Sequence, residues 1–193
     1  MIAIIDYVAG NVKSVANAVR RLGFETIITS DFEEIRNAEK VIFPGVGEAS
    51  TAMKYLKQKN LEKLIPTLKQ PFLGICLGQQ LLCDFSEEGA TKCLGIFDLK
   101  VKEFPSTDIV PHMGWNNLQK LQGPLFEGIS EAANFYFVHS YYCEIGEFTT
   151  SECDYILPFS ATLQKDNFYG TQFHPEKSGD VGSKILENFL KLK

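Results

Sequence analysis

The stretch PFLGICLGQQLL, Pro71 to Leu82, sets a cysteine in a turn between two glycines. PFLGI has the apolar texture of a buried strand, and LGQQLL has the residues of a helix. A strand that breaks into a helix through Gly-x-nucleophile-x-Gly is the pattern of a nucleophile elbow, whose tight turn lifts a reactive side chain above the sheet. Gly74 and Gly78 fit that turn, because neighbouring backbone comes close enough there that a Cβ would clash. Cys76 then stands at a helix N-terminus, where unpaired backbone N–H groups favour thiolate over thiol. The N–H of Leu77, the next residue, is placed to hold the oxyanion of an acyl tetrahedral intermediate.

Before this turn the chain alternates strand and helix patterns. IAIID precedes a helical stretch over 11–22 with Val12, Val15, Ala16, Val19 and Leu22 on one stripe; ETIIT and KVIFPG follow. A second helix is expected over 49–68, with Met53, Leu56, Leu61, Leu64 and Leu68 inward, and a third over 78–86. Short strand-helix-strand passages of this kind predict a parallel sheet with helices on both faces. From about 94 the texture changes to short strands and turns, with LGIFDLKVKEF, the loop PST, IVPHMGWNNL, and then NFYFVHSYYCEI, FSATLQ and FYGTQFH. These extend the sheet in mixed or antiparallel fashion. A last helix over 180–192 closes it, with Ile185, Phe189 and Leu192 inward. The fold class is α/β with a central mixed, mostly parallel sheet, in one domain over 1–193.

A chain of 193 residues, 45% of them hydrophobic, can bury roughly 70% of its unfolded surface in one core. Its net charge of −5 and its lack of a dense basic run argue against nucleic acid as a partner. No apolar run approaches the ~20 residues of a membrane span, and MIAIIDY turns polar too soon for a signal peptide, so a cytosolic protein is expected. Five cysteines, at 76, 83, 93, 143 and 153, have no metal-ligand rhythm. Apart from Cys76 they read as small buried hydrophobes, and no metal or cofactor is expected.

A nucleophilic cysteine needs a general base, normally a histidine oriented by a third group. His174 in GTQFHPEKSG follows an apolar run and is closed off by Pro175, at the carboxyl strand edge where Cys76 also stands. Glu176 can point back at the imidazole, giving Cys76, His174 and Glu176 as the triad. His139 in NFYFVHSYY shares a strand face with Phe135, Phe137 and Tyr141, and reads as a core or pocket-wall histidine. His112 reads as a loop or strand start. In VIFPGVG, Gly45, Val46 and Gly47 follow a strand and can turn a backbone amide toward the oxyanion as its second donor.

PGVG, GICLGQQLL and FHPEKS, in this order, resemble the class I, triad-type glutamine amidotransferases. DYVAGNVKSV, VPHMGWN, YFVHSYY and GTQFHPEKSG are similar to the glutaminase subunits of imidazole glycerol phosphate synthase, over essentially the whole chain. The resemblance implies a flavodoxin-like three-layer sandwich in which Cys76 attacks the amide of glutamine, ammonia leaves with a proton from His174, and water resolves a γ-glutamyl thioester. It implies that Gln80 contacts the substrate, with Gly45, Ser140 and Tyr141 lining its pocket through backbone. It implies a heterodimer with a (β/α)8-barrel cyclase that receives the ammonia in histidine biosynthesis, with Asn11, Trp115, Tyr136 and Lys177 at or near the docking face. It also suggests that PGVG presents a carbonyl to the site until docking turns an amide inward. One departure is Val8, where the family often has glycine. A paralogue serving another aminating enzyme, such as one of surface-sugar synthesis, shares the same motifs, and a redox-sensing cysteine protein on the same scaffold would need no His-x-Glu at the strand edge.

Overall fold

The computed structural model describes residues 1–7 and 11–193; the Val8 departure lies outside the described residues. In chain order the first strands are β1 (Ile2–Ile5), β2 (Thr26–Thr29), β3 (Lys40–Gly45), β4 (Phe72–Cys76), β5 (Phe85–Ser86), β6 (Thr91–Lys92) and β7 (Lys100–Glu103). There follow β8 (His112–Asn117), β9 (Asn134–His139), β10 (Tyr141–Cys143), β11 (Thr149–Asp154), β12 (Pro158–Lys165) and β13 (Phe168–Thr171). The helices are α1 (Val12–Arg21), α2 (Phe32–Asn37), α3 (Ala49–Gln58), α4 (Leu61–Leu64), α5 (Leu77–Leu82) and α6 (Gly179–Lys191).

One sheet runs β2-β1-β3-β4-β13-β12-β10-β7-β5-β6, with β11 beside β12. Its first five strands are mutually parallel. Beyond β13 the pairs are antiparallel, except β5 along β7. The order β2-β1-β3-β4 is that of a doubly wound sheet, which puts sites at the carboxyl ends of its strands.

Both faces of the parallel half are covered, so its central strands read as near-continuous apolar runs. Ala3, Ile5, Val41, Phe43 and Phe72 face a core shared with α2, α3, α4 and α5. Ile2, Ile4, Ile42, Leu73 and Ile75 face the opposite core, with α1 and α6. That second layer also includes the separate ribbon of β8 and β9, whose Phe135 and Phe137 point inward against Phe173 and Phe159. Among the described residues no helix is long and apolar enough to cross a membrane.

Three expectations are corrected. The helix expected over 49–68 breaks after α3, where Asn60 takes φ +56°, a conformation asparagine tolerates better than most residues. The helix expected over 78–86 ends at Leu82. The carbonyls of Leu81, Leu82 and Cys83 accept from the backbone N–H groups of Leu94, Ile96, Phe97 and Gly95, and the chain runs on as β5. NFYFVHSYYCEI is two strands rather than one: β9 belongs to the ribbon and β10 to the main sheet, with Ser140 between them. Tyr141 therefore does not share a strand with His139. α2 has no counterpart in the sequence reading, although Asp31 caps it by accepting from the N–H groups of Glu33 and Glu34.

Candidate active site

β4 enters the elbow with Cys76 at φ +54°, ψ −110°, a conformation that L side chains avoid. The glycines around it are demanded by contact. A Cβ on Gly78 would lie 1.9 Å from the Phe43 carbonyl oxygen, and one on Gly74 would lie 2.7 Å from the Gly78 carbonyl carbon. Gly45, opposite Cys76 in the β3–β4 register, would meet the Gly78 nitrogen at 2.7 Å. The three glycines thus let β3, β4 and α5 converge under one thiol.

The triad expected from sequence assembles. The short turn after β13 brings His174 to Cys76, and His174 Nδ1 lies 2.8 Å from Glu176 Oε1. Burial alone would depress the imidazole, but the Cys76 sulfur and Glu176 together push it up to about 10. Glu176 is opposed by its own burial, yet His174 and Asn11 hold it below the usual carboxylate range. His174 Nε2 is buried with no hydrogen-bond partner in the structure. The loop is clamped on the ribbon: the His174 N–H donates to Tyr136 O at 2.9 Å, and Ser178 Oγ donates to His174 O at 2.7 Å while accepting from the Tyr136 N–H at 3.0 Å.

A cavity of about 290 Å³ opens beside Cys76. Of the residues expected to hold substrate, Val46, Gly47, Leu77, Gln80, Ser140 and Tyr141 line it. Gly45 lies under the elbow instead. Gln80 Nε2 donates to Tyr141 O at 2.8 Å, which ties the helix to the cavity's far wall. The Leu77 N–H opens α5 and so has no partner within the helix. The Val46 N–H is committed elsewhere: it donates to Tyr7 Oη at 2.7 Å, and that hydroxyl donates back to Val46 O at 3.1 Å. Val46 therefore supplies no second oxyanion donor in this arrangement.

The four residues expected at a docking face divide. Trp115 is 58% exposed on β8 and packs edge-on against Tyr136 at 5.9 Å, while Lys177 Nζ sits 5.8 Å over the Tyr136 ring. Asn11 is buried, and its amide reaches Glu176 Oε1 and, at 3.3 Å, His174 Nδ1, so it faces the His174–Glu176 pair rather than the surface.

Sequence reasoning missed three participants. Glu88 lines the cavity, with Oε2 accepting from the Ala49 N–H at 2.7 Å and its carboxyl pushed up by burial. Gln172 is wholly buried between β13 and His174, with Nε2 3.6 Å from Cys76 Sγ. His112 proves a buried partner of His139, their rings joined at 3.0 Å, and burial pushes the two down to about 4 and about 3. The other four cysteines are free and buried.

The family model for class-I glutamine amidotransferases matches residues 3–192. The chain is 57% identical over 194 residues to imidazole glycerol phosphate synthase subunit HisH of Bacteroides fragilis (strain YCH46), covering 99% of each chain. It is 46% identical to the HisH subunit of Vibrio parahaemolyticus, covering 99% of this chain and 98% of that one. A crystal structure of a glutamine amidotransferase superposes with a TM-score of 0.76 at 17% identity, covering 99% of this chain and 98% of that one, and so shares the fold. The chain belongs to the class-I glutamine amidotransferases, among the HisH subunits of imidazole glycerol phosphate synthase.

Proposed function

We propose that the chain hydrolyses glutamine at Cys76 and passes the ammonia to a (β/α)8-barrel cyclase, its heterodimer partner, in the cytoplasm. The observation that carries this reading is the meeting of Cys76 with His174 and Glu176, distant in sequence, at the mouth of one small cavity. The thiolate attacks the side-chain carbonyl carbon, and the oxygen takes up negative charge against the Leu77 N–H. The C–N bond breaks as His174 Nε2 gives its proton to the leaving nitrogen, which releases ammonia and leaves a γ-glutamyl thioester. Neutral His174 then takes a proton from water as the water oxygen attacks the thioester, and collapse expels the thiolate and frees glutamate. Glu176 stays ionised throughout, holding the tautomer and balancing the imidazolium.

Gln80, Ser140 and Tyr141 hold the substrate along the cavity wall. Glu88 faces the same space and supplies the negative charge that an α-ammonium group requires. The outer face of the ribbon with Trp115 and Tyr136, together with Lys177 from the adjoining turn, is the docking face. Pressure on Tyr136 reaches the triad through the bonds from its backbone to His174 and Ser178. Docking also turns the Val46 peptide off Tyr7, so that its N–H joins Leu77 as the second oxyanion donor.

The test is Cys76→Ala in the complex. Glutamine-dependent product formation should vanish while synthesis driven by ammonium salts survives. Persistent glutamine hydrolysis in that variant would remove Cys76 from the chemistry, and a chain with no affinity for the cyclase barrel would belong to a paralogous system.

A further inference from the structure

Gln172 lies outside the triad and does not line the cavity, yet its side chain ends at the nucleophile. Its backbone N–H is fixed to Ala161 O at 2.8 Å, and its side-chain Oε1 accepts from Gln80 Nε2 at 3.0 Å. Hydrogen-bond logic alone decides which way this amide faces. Tyr141 O can only accept, so the Gln80 nitrogen that meets it at 2.8 Å is the NH2 group. That same NH2 group meets Gln172, so Gln172 presents its oxygen to Gln80 and its own NH2 to the sulfur. Turning the Gln172 amide over would set two donors face to face and a carbonyl oxygen against the thiolate.

The anchor of this chain is itself fixed. Tyr141 O also meets His139 Nδ1 at 2.8 Å, which makes Nδ1 the protonated nitrogen. His139 Nε2 is then bare and accepts from His112 Nδ1. His112 Nε2 lies 3.5 Å from Asn116 Nδ2, which donates to Asp154 O at 2.9 Å. The histidine arm and Gln80 thus both donate into Tyr141 O, and from Gln80 the donors run on through Gln172, whose N–H ends at Cys76.

We infer that Gln172 stabilises the Cys76 thiolate directly, its donor N–H being aimed at the sulfur by Gln80 and the Tyr141 carbonyl. The inference rests on the reading of Cys76 as the nucleophile. His174 moves protons; Gln172 moves none and touches no substrate. It biases the sulfur toward the charged form, because an N–H donor suits a thiolate better than a thiol. The other groups around the sulfur are His174 on the turn after β13 with Glu176 behind it, the Tyr7 hydroxyl across β3, His139 and the Val138 carbonyl on β9, and Glu88 across the cavity. Among these, His174 also favours the thiolate, and the Val138 carbonyl at 3.9 Å favours the thiol. Since Gln80 shares one NH2 group between Tyr141 and Gln172, a substrate that draws on Gln80 also acts on the donor at the sulfur.

The experiment uses the full chain as wild type, Gln172→Met, which keeps the length and loses the donor, and Gln172→Glu, which keeps the acceptor for Gln80 but sets oxygen against the sulfur. Iodoacetamide, a small neutral probe, is reacted across pH, and modification of Cys76 is counted by peptide mass spectrometry. In Gln172→Met the midpoint of the rate profile should rise by about one-half to one pH unit, the worth of one donor to a charged group at long range. It should rise further in Gln172→Glu. In the cyclase complex, kcat for glutamine should fall about tenfold with KM within about twofold. A Gln172→Met midpoint that coincides with wild type in a protein of unchanged urea midpoint would overturn the inference, as would an unchanged kcat. The alkylation profile needs no glutamine turnover, so it tests Gln172 even if the glutaminase reading itself fails.

Discussion

Cys76 occupies φ +54°, ψ −110°, and the fold holds it there against the steric preference of its own Cβ. Such a conformation costs a non-glycine residue about 1–3 kcal/mol, and this region, close to glycine-only, belongs at the upper end. Cys76→Ala keeps the Cβ and hence the strain. Cys76→Gly removes it, at a cost of about 0.8 kcal/mol for one lost buried carbon and about 0.5–1 kcal/mol for the extra freedom of an unfolded glycine. The difference leaves Cys76→Gly more stable than Cys76→Ala by about 1 kcal/mol, or roughly 2–4 °C in Tm for a domain of this size. Both variants should be devoid of glutamine hydrolysis, so stability is compared between two inert proteins that differ by one methyl group. Urea unfolding of the pair at pH 7.5 gives the number directly. A Cys76→Gly protein equal to or less stable than Cys76→Ala would show that the elbow stores no strain, and the steric account of this turn would be wrong.

Two further outcomes follow from the cavity and its wall. Glu88→Gln keeps the acceptor for the Ala49 N–H but removes the charge, so KM for glutamine should rise about 10- to 100-fold with kcat little changed; an unaltered KM would take Glu88 out of substrate binding. His139 is held down to about 3 by burial against an unfolded value of 6.5, so its contribution to stability is intact above about pH 6.5 and is lost as pH falls toward 3. From pH 7.5 to pH 5 that loss is about 2 kcal/mol, and it should be missing from His139→Asn, so the urea-derived stability of the variant should change less over this range by about that amount; parallel pH profiles would contradict a neutral, buried His139.

What was legible in the sequence was what local chemistry dictates. The elbow shows because Gly74 and Gly78 must be glycine wherever three backbones meet, and His174 with Glu176 shows because Pro175 opens a tight turn just past an apolar strand. The parallel half shows because both faces are buried and its strands read as apolar runs. The rest depends on partners that the spacing does not record. Glu88 sits in SEEG, a segment that reads as a solvated turn until the Ala49 N–H and the cavity are seen beside it. Gln172 is a polar residue just past the end of β13, and its meaning comes only from Gln80 and Cys76, remote in sequence. The split at Ser140 is invisible because β9 and β10 continue one apolar texture while pairing in different sheets. Asn60 and Asp31 did carry usable signals, as a left-handed break and a helix cap.

The central claim is that one thiol of five is made nucleophilic by the elbow, with an imidazole from the far end of the chain beside it. The most direct measurement treats the cyclase complex with a γ-electrophilic glutamine analogue and maps the adduct by peptide mass spectrometry. One equivalent of label is expected on Cys76 and none on Cys83, Cys93, Cys143 or Cys153, with labelling suppressed by excess glutamine. Labelling spread over several cysteines, or undiminished by glutamine, would contradict it.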